Sequence, residues 1–256
     1  MNAEAKTAPS RLRLDELLVT RGFYQSRSRA RDAVARGVVR VAGVPVTKPG
    51  VPVGEGVEIT VEDPAARYVA RSALKLIAGL DAFGVDPEGR MALDIGASTG
   101  GFTQVLLERG ATKVFAIDVG HGQFDSSLRS DPRIVLREGL NARDLLLADL
   151  DGQAPDLLVC DVSFISLKLA LPPALALAAP GARGVFLVKP QFEAGREAIG
   201  KGGLLKDPNV GPAIARTLAE WLETVPGWRV LGLHPSPIEG GDGNREFLLG
   251  AIKDRA

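Results

Sequence analysis

The run Ala92-Leu93-Asp94-Ile95-Gly96-Ala97-Ser98-Thr99-Gly100-Gly101 leaves the chain few choices of fold. An apolar stretch carrying an acid passes through glycines and small hydroxyls into an amphipathic segment, residues 102–109. That order predicts strand, tight turn, helix. Glycines in such a turn permit positive φ and close approach of backbone to a ligand. Free N–H groups at the helix start can face an adenosyl or phosphate-bearing molecule. The spacing of Gly96, Gly100 and Gly101 is not the G-x-G-x-x-G of dinucleotide sites. About twenty residues on, Val114-Phe115-Ala116-Ile117-Asp118 is a second apolar strand ending on an acid, placed to take the hydroxyls of a ribose. An adenosine cofactor without a pyrophosphate, S-adenosylmethionine, fits this pair better than NAD or ATP. The plainer alternative is a generic βαβ unit.

The sequence has 256 residues, enough for a full α/β domain and a small second one. With 45% hydrophobic and 24% charged residues it has the composition of a soluble globular protein. The net charge is zero, so any nucleic-acid surface must be local. A single cysteine, Cys160, allows no internal disulfide and suits a reducing compartment. Residues 1–10 have no signal-peptide core and are expected to be disordered. No apolar run reaches membrane-spanning length without a charge or proline, and a cytoplasmic location is expected.

Residues 11–63 form a module of their own. The spacing over residues 11–19 predicts a helix. Ser26 caps and Gly37 stops a second, and residues 38–41 and 57–61 read as short strands. From Arg11 to Lys48 nine basic residues face three acidic ones, Asp15, Glu16 and Asp32. Arg11, Arg13, Arg27, Arg29, Arg31, Arg36, Arg40 and Lys48 are candidate contacts to a phosphate backbone. The alternative is a solvated arginine face. Phe23 and Tyr24 could stack on a base or fill the core. Arg13-Leu14-Asp15, Ser26-Arg27-Ser28-Arg29-Ala30, Gly37-Val38-Val39-Arg40-Val41-Ala42-Gly43 and Lys48-Pro49 resemble the S-four-type (αL) RNA-binding domain. That resemblance implies binding of structured RNA, which is read largely through shape, phosphate and 2′-hydroxyl contacts.

Residues 64–69 read as a linker, and residues 70–256 as the larger domain. A helix is expected over 70–83, then strands at 91–95, 113–118, 134–137, 157–161, 184–188, 228–234 and 245–251. Helices are expected at 102–109, 167–179 (broken by prolines) and 209–225. Strands alternating with helices imply a mostly parallel, Rossmann-like α/β sheet with ligand sites at the strand carboxyl ends. Asp94, Asp118, Asp161 and Lys189 then share one edge of it. A partly desolvated Lys189, with Lys75 as a nearby second cation, could act as a general base. Asp161 could hold Lys189, and Glu246 could pair with Lys75. Against this stand a strand-end salt bridge for Lys189, a solvated helix face for Lys75 and an edge-strand charge for Glu246. His121 could line the cofactor pocket or be a loop residue, and Cys160 reads as core. No metal-ligand cluster is visible.

Asp161-Val162-Ser163-Phe164, Lys189-Pro190-Gln191-Phe192-Glu193 and Asn244-Arg245-Glu246-Phe247, together with Lys75 and the glycine turn, resemble the 2′-O-ribose methyltransferases of the FtsJ/RrmJ type. Closer still is the similarity to the TlyA family, historically called hemolysins and understood as rRNA methyltransferases. It runs from Arg11 to Phe247, both domains in family order. The resemblance implies a Lys-Asp-Lys-Glu tetrad at Lys75, Asp161, Lys189 and Glu246. It also implies an S-adenosylmethionine site around Asp94, Gly96, Ala97, Ser98, Thr99, Gly100, Gly101, Asp118, Asn141 and Asp161, and methylation of rRNA cytidine with rRNA or ribosomal subunits as partners. Ser72-Ala73 stands where many members have two glycines, and Arg67-Tyr68-Val69 where the linker often holds tryptophan. Three other readings compete: a non-catalytic ribosome-assembly factor, a small-molecule methyltransferase, and a membrane-active cytolysin.

Overall fold

The computed structural model describes residues 11–254, in two compact units that meet at the Arg67–Tyr68 bond, inside the expected linker. The expected disorder of residues 1–10 lies outside the described residues.

The first unit runs β1 (Arg11–Arg13), α1 (Leu14–Thr20), α2 (Arg27–Ala35), β2 (Val39–Val41), β3 (Val44–Pro45), β4 (Pro52–Gly54) and β5 (Ile59–Val61). The helix expected from residue 11 begins only at Leu14. Arg11, Leu12 and Arg13 alternate outward and inward with the period of a strand, and they pair antiparallel with Gly54, Val53 and Pro52. Ser26 caps α2 by accepting from the Arg29 N–H, and Gly37 follows the helix at φ 75°. Leu14, Leu17 and Leu18 pack with Ala30, Ala33, Val34 and Val39 into one small core. Tyr24 joins that core, and its hydroxyl donates to Asp63 at 2.9 Å; Phe23 is 40% exposed.

Asp63 closes the unit. Its side chain is 1% exposed and takes both Arg36 guanidinium nitrogens at 2.9 Å, together with the Ala65 N–H. Burial would push this carboxyl up. Arg36, the Ala65 N–H and the Tyr24 hydroxyl outweigh burial and hold it below the ordinary carboxylate range. Arg36 also bonds Asp32, so this arginine is internal structure rather than an open cation.

The second unit contains α3 (Ala73–Phe83), β6 (Met91–Ile95), α4 (Gly101–Glu108), β7 (Lys113–Asp118), β8 (Ile134–Glu138) and β9 (Leu157–Cys160). It continues with α5 (Leu167–Ala170), α6 (Pro172–Leu177), β10 (Arg183–Val188), α7 (Pro190–Glu193), α8 (Gly211–Glu223), β11 (Trp228–Pro235) and β12 (Phe247–Lys253). Seven strands form one sheet in the order β11-β12-β10-β9-β6-β7-β8. Strands β6 to β10 pair parallel, and β12 lies antiparallel to both β10 and β11. The chain starts at β6, moves outward to β8, and returns to β9 on the other side of β6. That reversal opens a crevice at the strand carboxyl ends.

Successive strand residues serve opposite faces. Leu157 and Val159 pack toward α3 and α4; Leu158 and Cys160 pack toward α5, α6 and α8. Burial on both faces is why these strands read as unbroken apolar runs. The long helix expected over 167–179 is two short ones, because Pro172 can only begin a helix there. Helix α3 starts at Ala73, and Gly84 at φ 59° stops it. It sits very close to the sheet. A Cβ on Gly79 would lie 2.6 Å from Val185 Cγ1, and one on Gly250 would overlap the Phe83 ring. The edge-strand alternative for Glu246 is corrected here: β12, which it precedes, is an interior strand.

Removing a partner from the buried Asp63 cluster should destabilise the first unit. Asp63→Ala is expected to cost about 3 kcal/mol, and Arg40→Ala, at an exposed strand position, less than about 0.5 kcal/mol. Hydrogen exchange at Ala33, Val34 and Val39 measures both in the full chain. Equal protection in the two variants would contradict the assignment.

Candidate active site

Four charged side chains meet where the sheet geometry delivers them. Asp161 directly follows β9, and Lys189 directly follows β10, its neighbour. Val188 pairs with Phe247 across the antiparallel seam, so Glu246 stands level with Lys189 although the two strands run oppositely. The close seating of α3 brings Lys75 to the same place. Lys75 Nζ lies 2.5 Å from Glu246 Oε2, and the two side chains are 6% and 2% exposed. The solvated-face alternative for Lys75 is therefore corrected: this lysine is on the buried side of its helix. Lys189 Nζ lies 2.7 Å from Asp161 Oδ1, a charge contact outside hydrogen-bond alignment, and donates to Ser163 Oγ at 2.8 Å. Burial pushes the Glu246 carboxyl up, against the pull of Lys75 and of Lys189 beyond it.

Beside this tetrad the crevice holds a cavity of about 490 Å³, whose lining includes Gly96, Ser98, Asp118, Asn141, Asp161 and Ser163. A smaller recess of about 160 Å³, with Ala70, Ser72, Ala97, Thr99 and Lys189 in its walls, shares Gly96, Ser98, Asp161 and Ser163 with it. Gly96 has φ 82°, and a Cβ there would lie 2.8 Å from the Asp161 carbonyl oxygen. Only glycine permits this closeness of the turn after β6 to the Asp161 backbone. Asp118 accepts from the Ser98 N–H at 2.8 Å and the Gly120 N–H at 2.7 Å, one on each oxygen. Asn141 Oδ1 accepts from the Arg143 N–H.

Three of the expected cofactor residues line neither hollow. Gly100, at φ 95°, and Gly101 face inward: a Cβ would meet Leu128 on the first and Ser72 Oγ on the second. Asp94 is fully buried beneath the turn. Its Oδ2 accepts the Thr103 hydroxyl at 2.7 Å, its Oδ1 has no partner, and burial pushes the carboxyl up to about 7. His121 also lines neither hollow and lies over Gly139, and Cys160 is core.

Two features escaped the sequence. Asn244, 4% exposed, accepts from the Leu205 N–H and donates to the Gly203 carbonyl and to Asp242. It thereby ties the glycine-rich segment around Gly203 to the turn before Glu246. A turn-forming asparagine in Gly-Asp-Gly-Asn hints at such capping but not at its distant partners. The other is Phe164, which lies against Phe192 with ring centroids 5.0 Å apart, is 90% exposed and has φ 65°.

The basic residues of the first unit divide. Arg36 is committed to Asp32 and Asp63. Arg13 and Arg27 are half-exposed and share the buried Asp15. Arg11, Arg31, Arg40 and Lys48 are exposed, and Arg29 is partly so.

A parallel sheet with one inverted strand, a glycine turn at the reversal point and a charged tetrad beside the resulting cavity define a Rossmann-like methyltransferase. The model of the FtsJ-like methyltransferases matches residues 68–253, and that of the S4 domain matches residues 12–59. The chain belongs to the FtsJ-like methyltransferase family and carries an amino-terminal S4 domain. The Mycobacterium tuberculosis protein named 16S/23S rRNA (cytidine-2′-O)-methyltransferase TlyA is 44% identical over 240 residues, spanning 93% of this chain and 89% of its own. Hemolysin A of Brachyspira hyodysenteriae is 38% identical over 237 residues, spanning 93% and 98%. A solved structure from Streptococcus thermophilus, under a provisional hemolysin name, matches with TM-score 0.73 and 39% identity, spanning 96% of this chain and 90% of that one.

The raised Asp94 carboxyl has a thermodynamic consequence. An unfolded aspartate titrates near 3.9, so from there to about 7 the folded chain holds the extra proton. The contribution of this carboxyl to stability falls as pH rises through that window. Asp94→Asn keeps an acceptor for Thr103 and should flatten the decline. Urea midpoints at about pH 5 and about pH 8 measure it; an unchanged slope would count against it.

Proposed function

We propose that this protein transfers a methyl group from S-adenosylmethionine to the 2′-hydroxyl of a cytidine in ribosomal RNA, of one or both subunits, while the S4 domain holds the folded RNA. The observation that carries the reading is the Lys189–Asp161 pair, with Asp161 on the lining of both hollows and Lys189 on that of the recess, backed by the buried Lys75–Glu246 pair. The cavity lies within the roughly 300–1,000 Å³ of small-molecule sites. Asp118 has spent one lone pair of each oxygen on backbone N–H groups, which leaves one on each for the two ribose hydroxyls of an adenosine. Gly96 lets backbone approach the ligand, and Asn141 stands on the lining at the same end as Asp118. When bound, S-adenosylmethionine supplies a methyl group already activated on a sulfonium.

The protein's task is then alignment and one proton. Lys189 Nζ accepts the proton of the 2′-hydroxyl as that oxygen takes the methyl group. Asp161 balances the charge that appears on Nζ. Lys75 and Glu246 fix the neighbouring wall, because breaking so buried a pair costs about 3–5 kcal/mol. Phe164 offers an open ring face beside Ser163 on which a displaced base can stack. The exposed Arg11, Arg31, Arg40 and Lys48 supply cations for the RNA backbone. The names of the relatives support rRNA as the substrate and, with it, a cytoplasmic setting. The cytolysin reading rests on other relatives' names; among the described residues, no helix is long and apolar enough to cross a membrane.

The test is transfer of radiolabelled methyl from S-adenosylmethionine to small and large subunits of cells lacking the gene. Wild type should label rRNA, and Lys189→Ala should do so ~10²–10⁴-fold more slowly with cofactor binding unchanged. Equal labelling by both proteins would remove Lys189 from the chemistry. Labelling by neither, with the cofactor bound, would favour an assembly factor.

A further inference from the structure

We propose that Ser163 is a positioning residue for Lys189, setting the direction in which its amine accepts the substrate proton. The inference rests on the reading of Lys189 as that acceptor. Lysine is a poor base sterically: four rotatable carbons carry a point group with no fixed plane. Around Nζ four tetrahedral directions exist, and Cε occupies one. In the amine, two more are N–H bonds and the last is the lone pair that does the chemistry.

Two acceptors lie against Nζ here. Ser163 Oγ receives a directed hydrogen bond at 2.8 Å, and Asp161 Oδ1 lies at 2.7 Å without hydrogen-bond alignment. Asp161 alone fixes charge and approximate place but leaves rotation about Cε–Nζ. Ser163 accepts one N–H and removes that rotation, and the Asp161 carboxylate attracts N–H and repels a lone pair on its own side, so the lone pair takes the direction that faces neither. Both acceptors come from one short segment after β9, separated only by Val162, so their spacing is set by backbone rather than by two mobile elements. Ser163 and Asp161 also line both hollows, and Lys189 stands in the wall of the recess. A hydroxyl suits this post: it accepts from Nζ, and it carries no charge to compete with Asp161.

Ser163→Ala and Ser163→Thr in the full chain test the proposal with the same methyl-transfer assay. The alanine variant should lose ~10–100-fold in kcat, the scale of a misaimed reacting group. Cofactor Kd, read by equilibrium dialysis, and KM for the ribosomal subunit should stay within about twofold. The threonine variant keeps the hydroxyl and should recover most of kcat. A residue that merely walls the cofactor cavity would instead weaken cofactor binding and keep kcat at saturation; that outcome overturns the proposal. So does an alanine variant as fast as wild type, or a threonine variant as slow as alanine. Wild-type protein that transfers no methyl at all strikes the functional reading first and this inference with it. Active wild type with an unaffected alanine variant strikes Ser163 alone.

Discussion

The pairing of Val188 with Phe247 determines which charges meet at the centre of this molecule. A side-chain period of two means that a one-residue slip in that antiparallel seam would turn Glu246 to the other face and leave Lys75 buried without an anion. The register is held by apolar partners on both sides, Leu248 and Leu249 of β12 against Leu187 and Phe186 of β10. Burial thus pays for the placement of charges that would not assemble by themselves. The buried Lys75–Glu246 pair contributes little net stability, since desolvation offsets most of its attraction. Its presence makes better sense as geometry than as glue.

A second constraint is closeness. Glycines at positions 79 and 250 let α3 and β12 approach their neighbours beyond what any side chain allows. Gly96 does the same for the turn over Asp161. Gly96 lines both the cavity and the recess, and Lys189 stands in the wall of the recess.

Much of this was legible beforehand because strands buried on both faces announce themselves as apolar runs. The glycine turn, the acids ending strands, and Lys189 after its strand stood out against that background. What failed was local spacing where tertiary contacts decide. Arg11–Arg13 follows helical spacing on paper but is claimed by a partner strand some forty residues away. The Lys75–Glu246 pairing was offered beside a solvated-face alternative, because the two residues are 171 positions apart and only the fold decides between them. Arg36 counted as one more open cation until Asp63 closed on it, and Asp94 sits below the crevice rather than in it. Ser163 and Asn244 are ordinary residues in a sequence; only their distances to Lys189 and to Gly203 and Leu205 distinguish them. The resemblance to a known family named the tetrad, and its packing reasons come from the sheet.

A site built on Lys189 and Asp161 serves a ribose oxygen and not a base. The most direct measurement is mass spectrometry of nucleosides from subunit rRNA of cells lacking the gene, treated with this protein and S-adenosylmethionine. Newly formed 2′-O-methylcytidine is expected, with the methyl on the sugar fragment and an unmodified base. A methyl carried on the base fragment, or no new methylated nucleoside, would contradict it.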